Sequence, residues 1–450
     1  MSSNITDKFK KYKLKPSSAK MEEICRPANF KLQPQQLFLR DYFTNRISGK
    51  GLLVYHKIGA GKTCTAITMA EEFKKKMNVV IVLPAALIGN FKDELRGECG
   101  GYMTHKERDE LKELSPKDKL YKTILEKTDE RIDEYYTIYS YHKFIELCQD
   151  NKIKLNNTLL IIDEIQNMIS ENGPFYLNLK KTIDKSDDKT RLLLLSATPM
   201  FDKPEEIALT INLLKSVNND DEMPIGTEFN STFLKPIQTD IGIEYDIVNE
   251  KKFTSYLPKL ISYYRGAPPQ SFPKTIFKIV RCKMEPFQYK SYKTINEDED
   301  VSSRFKESDI LKLPTNFMLG PRMISNIAFP NMSIGEKGFA SLSGKYLKKK
   351  NILNYSKKFY KILNKVNQAE GSTFVYSNFK DIGGIRTFVK YLEYNGYVNY
   401  ITHGEGKKRF AIWSGDESHK VKEEIKYVFN KKDNSNGSKI KIMLGSPSIK

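Results

Sequence analysis

The chain has 450 residues, and its 74 Lys and Arg against 55 Asp and Glu give a formal net charge of +19. This length predicts two or three domains with sizeable cores, and the positive excess favours a polyanion as partner, although lysine-rich coding bias is another source of such an excess. The sequence argues against a membrane span, a signal peptide and a zinc module, and its five scattered cysteines without C-x-x-C spacing predict a reducing compartment.

The first predicted element that carries chemistry is a strand followed by a glycine-containing loop and a helix. The apolar run from Gly51 to Tyr55 precedes His56-Lys57-Ile58-Gly59-Ala60-Gly61-Lys62-Thr63, and the helix is predicted from Cys64 to Lys76. Glycines let backbone N–H groups close on phosphate oxygens, the lysine reaches the β- and γ-phosphates, and the threonine hydroxyl suits Mg²⁺. We therefore predict nucleotide binding by Gly59, Ala60, Gly61, Lys62, Thr63 and Cys64, with Thr63 as a metal ligand. His56 stands where the strict pattern has its first glycine, and a turn that binds nothing is the alternative.

Two further buried strands are predicted to end in polar residues. Residues 158–162 are followed by Asp163-Glu164-Ile165-Gln166, and residues 191–195 by Ser196-Ala197-Thr198-Pro199. The carboxyl ends of parallel strands are where doubly wound sheets bind ligands. Mg²⁺ keeps several waters and few carboxylates, so we expect Asp163 to hold the ion and Glu164 to polarise the attacking water. An acidic N-cap of the following helix is the alternative for this pair.

The order and spacing of these segments resemble the motifs of superfamily 2 helicases and translocases. The resemblance implies that Gln166, with Ser196 and Thr198, couples the nucleotide state to nucleic acid, and it places Gln166 beside Lys62, Asp163 and Glu164 in the catalytic set. Residues 32–37 resemble the adenine-reading segment of this superfamily, with Gln36 as the amide that pairs with the base; an exposed helix position is the alternative. Two more segments resemble contacts of the first lobe to nucleic acid, at Pro84, Asn90 and Ser140.

Residues 216–350 are the least informative part of the sequence. Loop residues dominate 216–240, a helical pattern covers Phe253 to Tyr264, and residues 276–280 are strand-like. Tyr263, Tyr264 and Arg265 are candidates for stacking on bases, but core packing at a helix end is favoured for tyrosines at helical spacing.

Beyond residue 350 the pattern of strands and helices begins again. Strands are predicted at 372–379, 410–415 and 440–444, with helices at 385–394 and ending at Lys432. This order resembles the second RecA-like lobe, and the resemblance places nucleic-acid contacts at Asn378, Ser414, Gly415, Gly445 and Ser446. The residue sequences of the motifs most resemble those of the helicases of large nucleocytoplasmic DNA viruses. This group includes the poxvirus-type early transcription factor small subunit and nucleoside triphosphate phosphohydrolase I.

The predicted fold is α/β, with two RecA-like lobes of parallel sheet in a P-loop NTPase. We assign a basic extension to 1–29, the ATP-binding lobe to 30–215, an insertion to 216–350 and the second lobe to 351–450. Helicases of the superfamily that this chain resembles place arginines of a sixth motif against the γ-phosphate, and this motif would lie beyond residue 450. The second lobe is therefore expected to be incomplete and turnover weak, with Arg386 and Arg409 as alternative fingers.

The resemblance implies an ATP-dependent helicase or translocase with ATP and Mg²⁺ as cofactors and with the nucleic-acid backbone, DNA or RNA, as partner. Viral transcription is the expected process, and its machinery or a second polypeptide completing the second lobe are further expected partners, without a membrane. The expected location is the host cytoplasm or viral factory, with packaging in the virion as an option. The alternatives are a double-stranded DNA translocase of the remodelling type and a nucleotide- and nucleic-acid-binding protein without efficient turnover.

Overall fold

The computed structural model describes residues 7–14, 30–45, 47, 49–200, 203–239, 242–266, 274–300 and 319–447. The chain forms two compact units, one of Met1–Leu114 with Lys119–Thr275 and one of Ser115–Asp118 with Ile276–Lys450. The division at Thr275 falls inside the segment assigned to the insertion, because the first unit takes up residues well beyond 215. Most of the predicted basic extension lies outside the described residues.

The first unit is built on a six-stranded sheet in which every neighbouring pair of strands is parallel. The strand order is β3-β2-β4-β5-β1-β8. The strands are β1 (Gly51–His56), β2 (Asn78–Leu83), β3 (Tyr136–Ser140), β4 (Thr158–Ile162), β5 (Arg191–Ser196) and β8 (Ile261–Tyr264). The helices are α1 (Pro34–Thr44), α2 (Lys62–Glu71), α3 (Ile88–Arg96), α4 (His105–Glu113), α5 (Lys119–Asp133), α6 (Tyr141–Gln149), α7 (Pro174–Asp184), α8 (Glu206–Asn218), α9 (Gly226–Phe233) and α10 (Glu250–Ser255).

Helices cover both faces of this sheet, which is why its central strands are continuous apolar runs. Along β4, Leu159 and Ile161 pack into one hydrophobic cluster, whereas Leu160 and Ile162 pack into another. All residues of β4 and β5 are buried. The period of two therefore divides each strand between two cores, and the polar residues that follow the strands are left at the carboxyl edge.

The last strand of this sheet corrects the helix predicted from Phe253 to Tyr264. The helix α10 ends at Ser255, and Ile261–Tyr264 forms β8, which pairs in parallel with β1 so that Tyr264 lies opposite His56. The mistake has a physical reason, since a short run of β-branched and aromatic residues fits either period. Tyr263 and Tyr264 therefore lie on a strand, and the core position expected for Tyr263 is not observed, because its side chain is 53% exposed.

An antiparallel hairpin of β6 (Leu234–Thr239) and β7 (Gly242–Ile247) stands apart from the large sheet. Its side chains Ile243, Tyr245 and Ile247 are exposed. Among the residues that the structure describes, no helix is long and apolar enough to cross a membrane.

The second unit contains a smaller parallel sheet in the order β10-β11-β12-β9. The predicted strands and the helix at 385–394 are confirmed, whereas the strand-like pattern at residues 276–280 does not form a strand. The strands are β9 (Thr373–Tyr376), β10 (Val398–Asn399), β11 (Arg409–Trp413) and β12 (Ile442–Gly445). The helices are α11 (Pro286–Asp300), α12 (Leu319–Asn326), α13 (Glu336–Ser341), α14 (Lys349–Tyr355), α15 (Lys357–Gln368), α16 (Ile385–Tyr394), α17 (Tyr400–His403) and α18 (His419–Phe429).

Two cysteines correct an inference from their spacing. Cys64 and Cys99 form a disulfide with their Cα atoms 5.4 Å apart, although 35 positions separate them in sequence. Cys148 and Cys282 are free, and Cys25 lies outside the described residues. The pairing disagrees with the reducing compartment that scattered cysteines predict. No local spacing could reveal it, because α2 and the segment after α3 meet only in the folded unit.

Candidate functional site

The predicted nucleotide-binding residues of the first unit meet around one cavity of about 890 Å³. This volume falls within the range of about 300–1,000 Å³ that is usual for small-molecule sites. The cavity lies at the carboxyl edge of the sheet, where β1 leads into α2 and β4 ends. Its lining includes the predicted residues Gln36, Gly59, Gly61, Lys62, Thr63, Cys64, Asn90, Asp163 and Glu164.

The loop between β1 and α2 has the backbone geometry of a phosphate cradle. Gly59 and Gly61 have φ angles of 78° and 73°, in the left-handed region that side chains with a Cβ rarely adopt. A Cβ on Gly61 would also lie 2.8 Å from Nε2 of Gln36. Lys62 and Thr63 open α2, whose first N–H groups lack partners within the helix and favour an anion. The loop thus fits a phosphate, while Ala60 within the loop is buried and its side chain does not line the cavity.

Gln36 is buried, which is at odds with the alternative of an exposed helix position. Its side chain is 4% exposed. Nε2 donates to the carbonyl oxygen of Gly61 at 3.3 Å, and Oε1 accepts from the N–H of Gln33 at 2.8 Å. Gln36 therefore connects the start of α1 to the phosphate loop, and its side chain lines the cavity.

His56, the departure from the strict motif, fastens the base of the loop to β8. Its ring is fully buried, with Nε2 at 3.1 Å from Oγ of Ser262 and the ring centroid 5.5 Å from that of Tyr264. Burial, with a smaller contribution from the charge of Lys62, lowers the pKa of His56 to about 4. At neutral pH the imidazole is therefore uncharged, and it adds no positive charge to the loop.

The acidic pair at the end of β4 supplies the carboxylates of the cavity. Asp163 is 7% exposed, and its Oδ1 accepts from the N–H of Glu164 at 3.0 Å. Burial, followed by the charge of Glu164, raises the pKa of Asp163 to about 6, although Lys62 acts in the opposite direction. A cation beside this carboxylate would favour its charged form. Together with the hydroxyl of Thr63, Asp163 offers the oxygen ligands that Mg²⁺ prefers.

A chain of hydrogen bonds leads from Glu164 away from the cavity to the end of β5. Nε2 of Gln166 donates to Oε2 of Glu164 at 2.7 Å, and the hydroxyl of Ser196 donates to Oε1 of Gln166 at 2.7 Å. The N–H of Thr198 donates in turn to Oγ of Ser196 at 2.9 Å. We call these four residues the relay. The relay brings together the catalytic and coupling residues that the sequence predicted as separate motifs.

The backbone at the start of the relay is held in an uncommon conformation. Glu164 has a φ of 52°, in the left-handed region, which costs a non-glycine residue about 1–3 kcal/mol. The hydroxyl of Tyr141, at the start of α6, lies within hydrogen-bond distance of the carbonyl oxygens of both Asp163 and Glu164. The sequence predicts a strand over residues 137–141 whose end carries hydroxyls, and Tyr141 is its last residue, but no role in this site was predicted for Tyr141.

The predicted nucleic-acid contacts of the first unit do not lie in one place. Pro84 follows β2, and Ser140 ends β3, where its hydroxyl accepts from the N–H of Lys143 at 3.4 Å as the N-cap of α6. Both lie at the carboxyl edge of the sheet. Asn90 instead lies on α3 and lines the nucleotide cavity.

The predicted contacts of the second unit follow three neighbouring strands at one edge of its sheet. Asn378 follows β9 and is exposed. Ser414 and Gly415 follow β11, Gly445 is the last residue of β12, and Ser446 comes directly after it. Ser414 is 2% exposed and its hydroxyl donates to Oε2 of Glu417 at 2.7 Å, while Ser446 is 1% exposed.

The two arginines named as alternative fingers have partners within the second unit. Arg386 forms an ion pair with Glu336, and Nε of Arg409 donates to the carbonyl oxygen of Gly404 at 2.8 Å.

Known proteins are similar in sequence to most of this chain. Residues 28–337 match the family of SNF2-related domains. A protein of Acanthamoeba polyphaga mimivirus with the provisional name ATP-dependent RNA helicase R563 is 49% identical over 448 residues, which make up 99% of this chain and 78% of the relative.

Two further relatives are named as a subunit of an early transcription factor and as a termination factor homolog. The early transcription factor 70 kDa subunit of fowlpox virus is 26% identical over 454 residues, covering 92% of this chain and 63% of the relative. The termination factor NPH-I homolog of African swine fever virus (isolate Tick/South Africa/Pretoriuskop Pr4/1996) is 23% identical over 479 residues, covering 88% of this chain and 61% of the relative. The chain thus spans less than two thirds of the length of these two relatives.

These relatives confirm the resemblance to helicases of large DNA viruses, and the two parallel sheets confirm the predicted fold class. The family match covers more than half of the chain, and the mimivirus relative is similar over nearly all of it. The chain therefore belongs to the SNF2-related family of helicase-type ATPases.

Proposed function

We propose that this chain hydrolyses ATP with Mg²⁺ and uses the reaction to move along nucleic acid during viral transcription. The observation that carries the proposal is the relay. It joins a carboxylate of the nucleotide cavity to the end of β5 through two hydrogen bonds of 2.7 Å, and a third of 2.9 Å continues to the N–H of Thr198. A site that only bound nucleotide would have no need of a polar connection leading out of the cavity.

In this proposal the residues of the cavity act mainly by position and charge. Lys62 neutralises the β- and γ-phosphates within the cradle of Gly59 and Gly61. Thr63 and Asp163 hold Mg²⁺, which when bound offsets the charge of the phosphate oxygens. Glu164 orients the attacking water. Gln36 pairs with the adenine edge through the hydrogen-bond donor and acceptor of its amide that Gly61 and Gln33 leave available.

Nucleic acid is proposed as the track because the net charge is +19 and because three relatives carry names from helicases and transcription. Lysine rather than arginine supplies most of this charge, which suits backbone contact better than base reading. Contacts at the strand ends of both units, at Pro84, Ser140 and Asn378 among others, stay part of the proposal. So does a place in the host cytoplasm or viral factory.

The test is ATP hydrolysis by the purified chain, measured alone and with single-stranded DNA, double-stranded DNA and RNA. We expect nucleic acid to raise the rate, and Glu164→Gln to abolish hydrolysis while nucleotide affinity stays within about twofold of the parent. A rate that no nucleic acid changes would contradict the proposal.

Translocation along double-stranded DNA is the second candidate, favoured by the match of residues 28–337 to SNF2-related domains. A strand-displacement assay and a triplex-displacement assay separate the two, since a helicase separates the duplex and a translocase removes only the third strand. Binding of nucleotide and nucleic acid without hydrolysis would support the alternative of a protein without efficient turnover.

A further inference from the structure

Glu164, the residue proposed to orient the attacking water, lies in a tight turn that follows β4. Its φ of 52° is in the left-handed region, which a residue with a side chain keeps only where its surroundings hold it there. Strained backbone of this kind is common at active sites. The direction of the Glu164 carboxylate therefore depends on the contacts that fix the backbone of this turn.

Most hydrogen bonds of Glu164 come from the turn itself. Its N–H donates to Oδ1 of Asp163 at 3.0 Å, its carbonyl oxygen accepts from the N–H of Asn167 at 3.0 Å, and its carboxylate accepts from the side chain of Gln166 at 2.7 Å. Among the described residues, one bond reaches the backbone of Glu164 from a different element. It comes from the hydroxyl of Tyr141, which lies 3.0 Å from the carbonyl oxygen of Glu164.

Tyr141 is in turn held by the core of the first unit. It is the first residue of α6 and is 7% exposed. Its ring belongs to the same hydrophobic cluster as Ile165 and Met168, which follow Glu164 in the turn and are 0% and 1% exposed. Close packing of this kind leaves a buried aromatic ring little freedom to move. The hydroxyl is therefore a fixed point next to the turn.

The surroundings of the Tyr141 hydroxyl favour its protonated form, which is the form that donates. Burial raises the pKa of Tyr141, a hydrogen bond with the side chain of Asn167 lowers it by less, and the charges of Asp163 and Glu164 raise it further. The hydroxyl oxygen also lies 2.5 Å from the carbonyl oxygen of Asp163. A tyrosine hydroxyl has one proton to donate and can accept as well. The two carbonyl oxygens and the Asn167 side chain therefore use both of its capacities.

We propose that Tyr141 is a positioning residue for ATP hydrolysis, which holds the backbone of Glu164 so that the carboxylate faces the attacking water. This inference rests on the proposed function, because Glu164 has that task only if the chain hydrolyses ATP. Asp163 depends less on Tyr141, since its N–H donates to the carbonyl oxygen of Val82 in β2 at 2.9 Å. Loss of the hydroxyl should therefore disturb water activation by Glu164 and leave Mg²⁺ and nucleotide binding in place.

The test is the variant Tyr141→Phe, which loses the hydroxyl and keeps the ring. ATP hydrolysis by the full chain is measured with and without nucleic acid, under single-turnover conditions where turnover is slow. We expect kcat to fall by about ten- to a hundredfold, because a small misplacement of a catalytic group has an effect of this size, while KM for ATP stays within about twofold. The basal and the stimulated rate should fall by the same factor, because Tyr141 acts on water activation and not on the connection to β5.

Tyr176→Phe is the matched control. Tyr176 lies on α7 in the same hydrophobic cluster as Tyr141, is 5% exposed, and its hydroxyl donates to the carbonyl oxygen of Leu209 at 3.5 Å. The variant loses a buried hydroxyl from the same core without a contact to the acidic pair. Its stability should fall, and its kcat should stay within about twofold of the parent.

A second variant tests the same hydroxyl from the surface. The side chain of Asn167 is exposed, so Asn167→Ala should fold even if Tyr141→Phe does not. It removes the side chain that bonds to the Tyr141 hydroxyl and keeps the backbone N–H that donates to Glu164. We expect kcat to fall about fivefold with KM unchanged, the size of one net hydrogen bond.

The inference is overturned if Tyr141→Phe folds and keeps the kcat of the parent, or if Tyr176→Phe loses kcat to the same extent. If Tyr141→Phe does not fold, a parent-like kcat in Asn167→Ala overturns it. A parent chain without any ATP hydrolysis would contradict the proposed function itself, and the role of Tyr141 would fall with it. The two failures are distinguishable because the parent is assayed beside every variant.

Discussion

Removal of the hydroxyl of Ser196 separates the two ends of the relay. Ser196 is fully buried at the end of β5, donates to Gln166 at 2.7 Å and accepts from the N–H of Thr198 at 2.9 Å. Ser196→Ala leaves both partners without their bond. The cost should stay below the roughly 1–3 kcal/mol of a fully buried unpaired group, because Gln166 is half-buried and Thr198 is exposed. Nucleotide binding should change less than twofold, because Ser196 does not line the cavity.

The expected loss is in the stimulation of ATP hydrolysis by nucleic acid. Couplings between sites are typically about 1–3 kcal/mol, or about 5–150-fold, so stimulation should fall by roughly tenfold. The assay is steady-state hydrolysis with and without a saturating oligonucleotide, together with nucleotide affinity by fluorescence titration. Lower stability alone cannot produce a fall in the ratio of the stimulated rate to the basal rate.

A matched control lies at the other end of the same strand. Thr190 precedes β5, is 1% exposed, and its hydroxyl donates to the carbonyl of Leu155 at 2.6 Å. Thr190→Val removes a buried hydroxyl, and valine has nearly the same shape as threonine. Because Thr190 lies at the far end of β5 from the cavity, the variant should lower stability without changing the stimulation of ATP hydrolysis by nucleic acid. Equal stimulation in Ser196→Ala and the parent, or an equal loss in Thr190→Val, would refute the coupling role.

Four further predictions follow from the same structure. Lys62→Ala should weaken ATP binding by at least about tenfold, whereas Glu164→Gln should retain binding and lose turnover; equal loss of affinity in both would contradict the roles assigned. Affinity for nucleic acid should fall log-linearly with salt and differ little between sequences, and salt-insensitive binding would exclude backbone tracking. Because burial lowers the pKa of His56 to about 4, the unfolded chain takes up a proton first, so stability should be lost as pH falls from about 6.5 to 4. Denaturant unfolding should show that the free energy of unfolding falls less between pH 6.5 and about 4 in His56→Asn than in the parent. The raised pKa of Asp163 acts in the opposite direction, because it contributes stability at low pH that is lost as pH rises towards 6. Asp163→Asn removes this contribution, so its free energy of unfolding should fall more than that of the parent as pH is lowered. The Cys64–Cys99 bond closes a loop over 35 positions, so Cys99→Ala should lower the free energy of unfolding by up to about 4 kcal/mol, and a reductant should destabilise the parent but leave Cys99→Ala unchanged.

Apart from β8 and β10, the sequence alone determined the strands of the two parallel sheets and the edge at which the predicted site residues lie. Continuous apolar runs such as 158–162 and 191–195 can only be buried between two layers, and each ends in polar residues, so the carboxyl edge follows from the pattern. Glycines at 59 and 61 before Lys62 likewise require a tight loop. These are local properties, because a strand's period and a loop's backbone freedom depend on neighbouring residues.

Tertiary structure decided what local patterns cannot contain. The relay depends on β4 and β5 being neighbours, which brings Gln166 within 2.7 Å of Ser196 although 30 positions separate them. The same is true of β8 beside His56, of the Cys64–Cys99 bond and of the hydroxyl of Tyr141 beneath the acidic pair. Each joins residues distant in sequence through the packing of whole elements, and for that reason no window of the sequence predicts it.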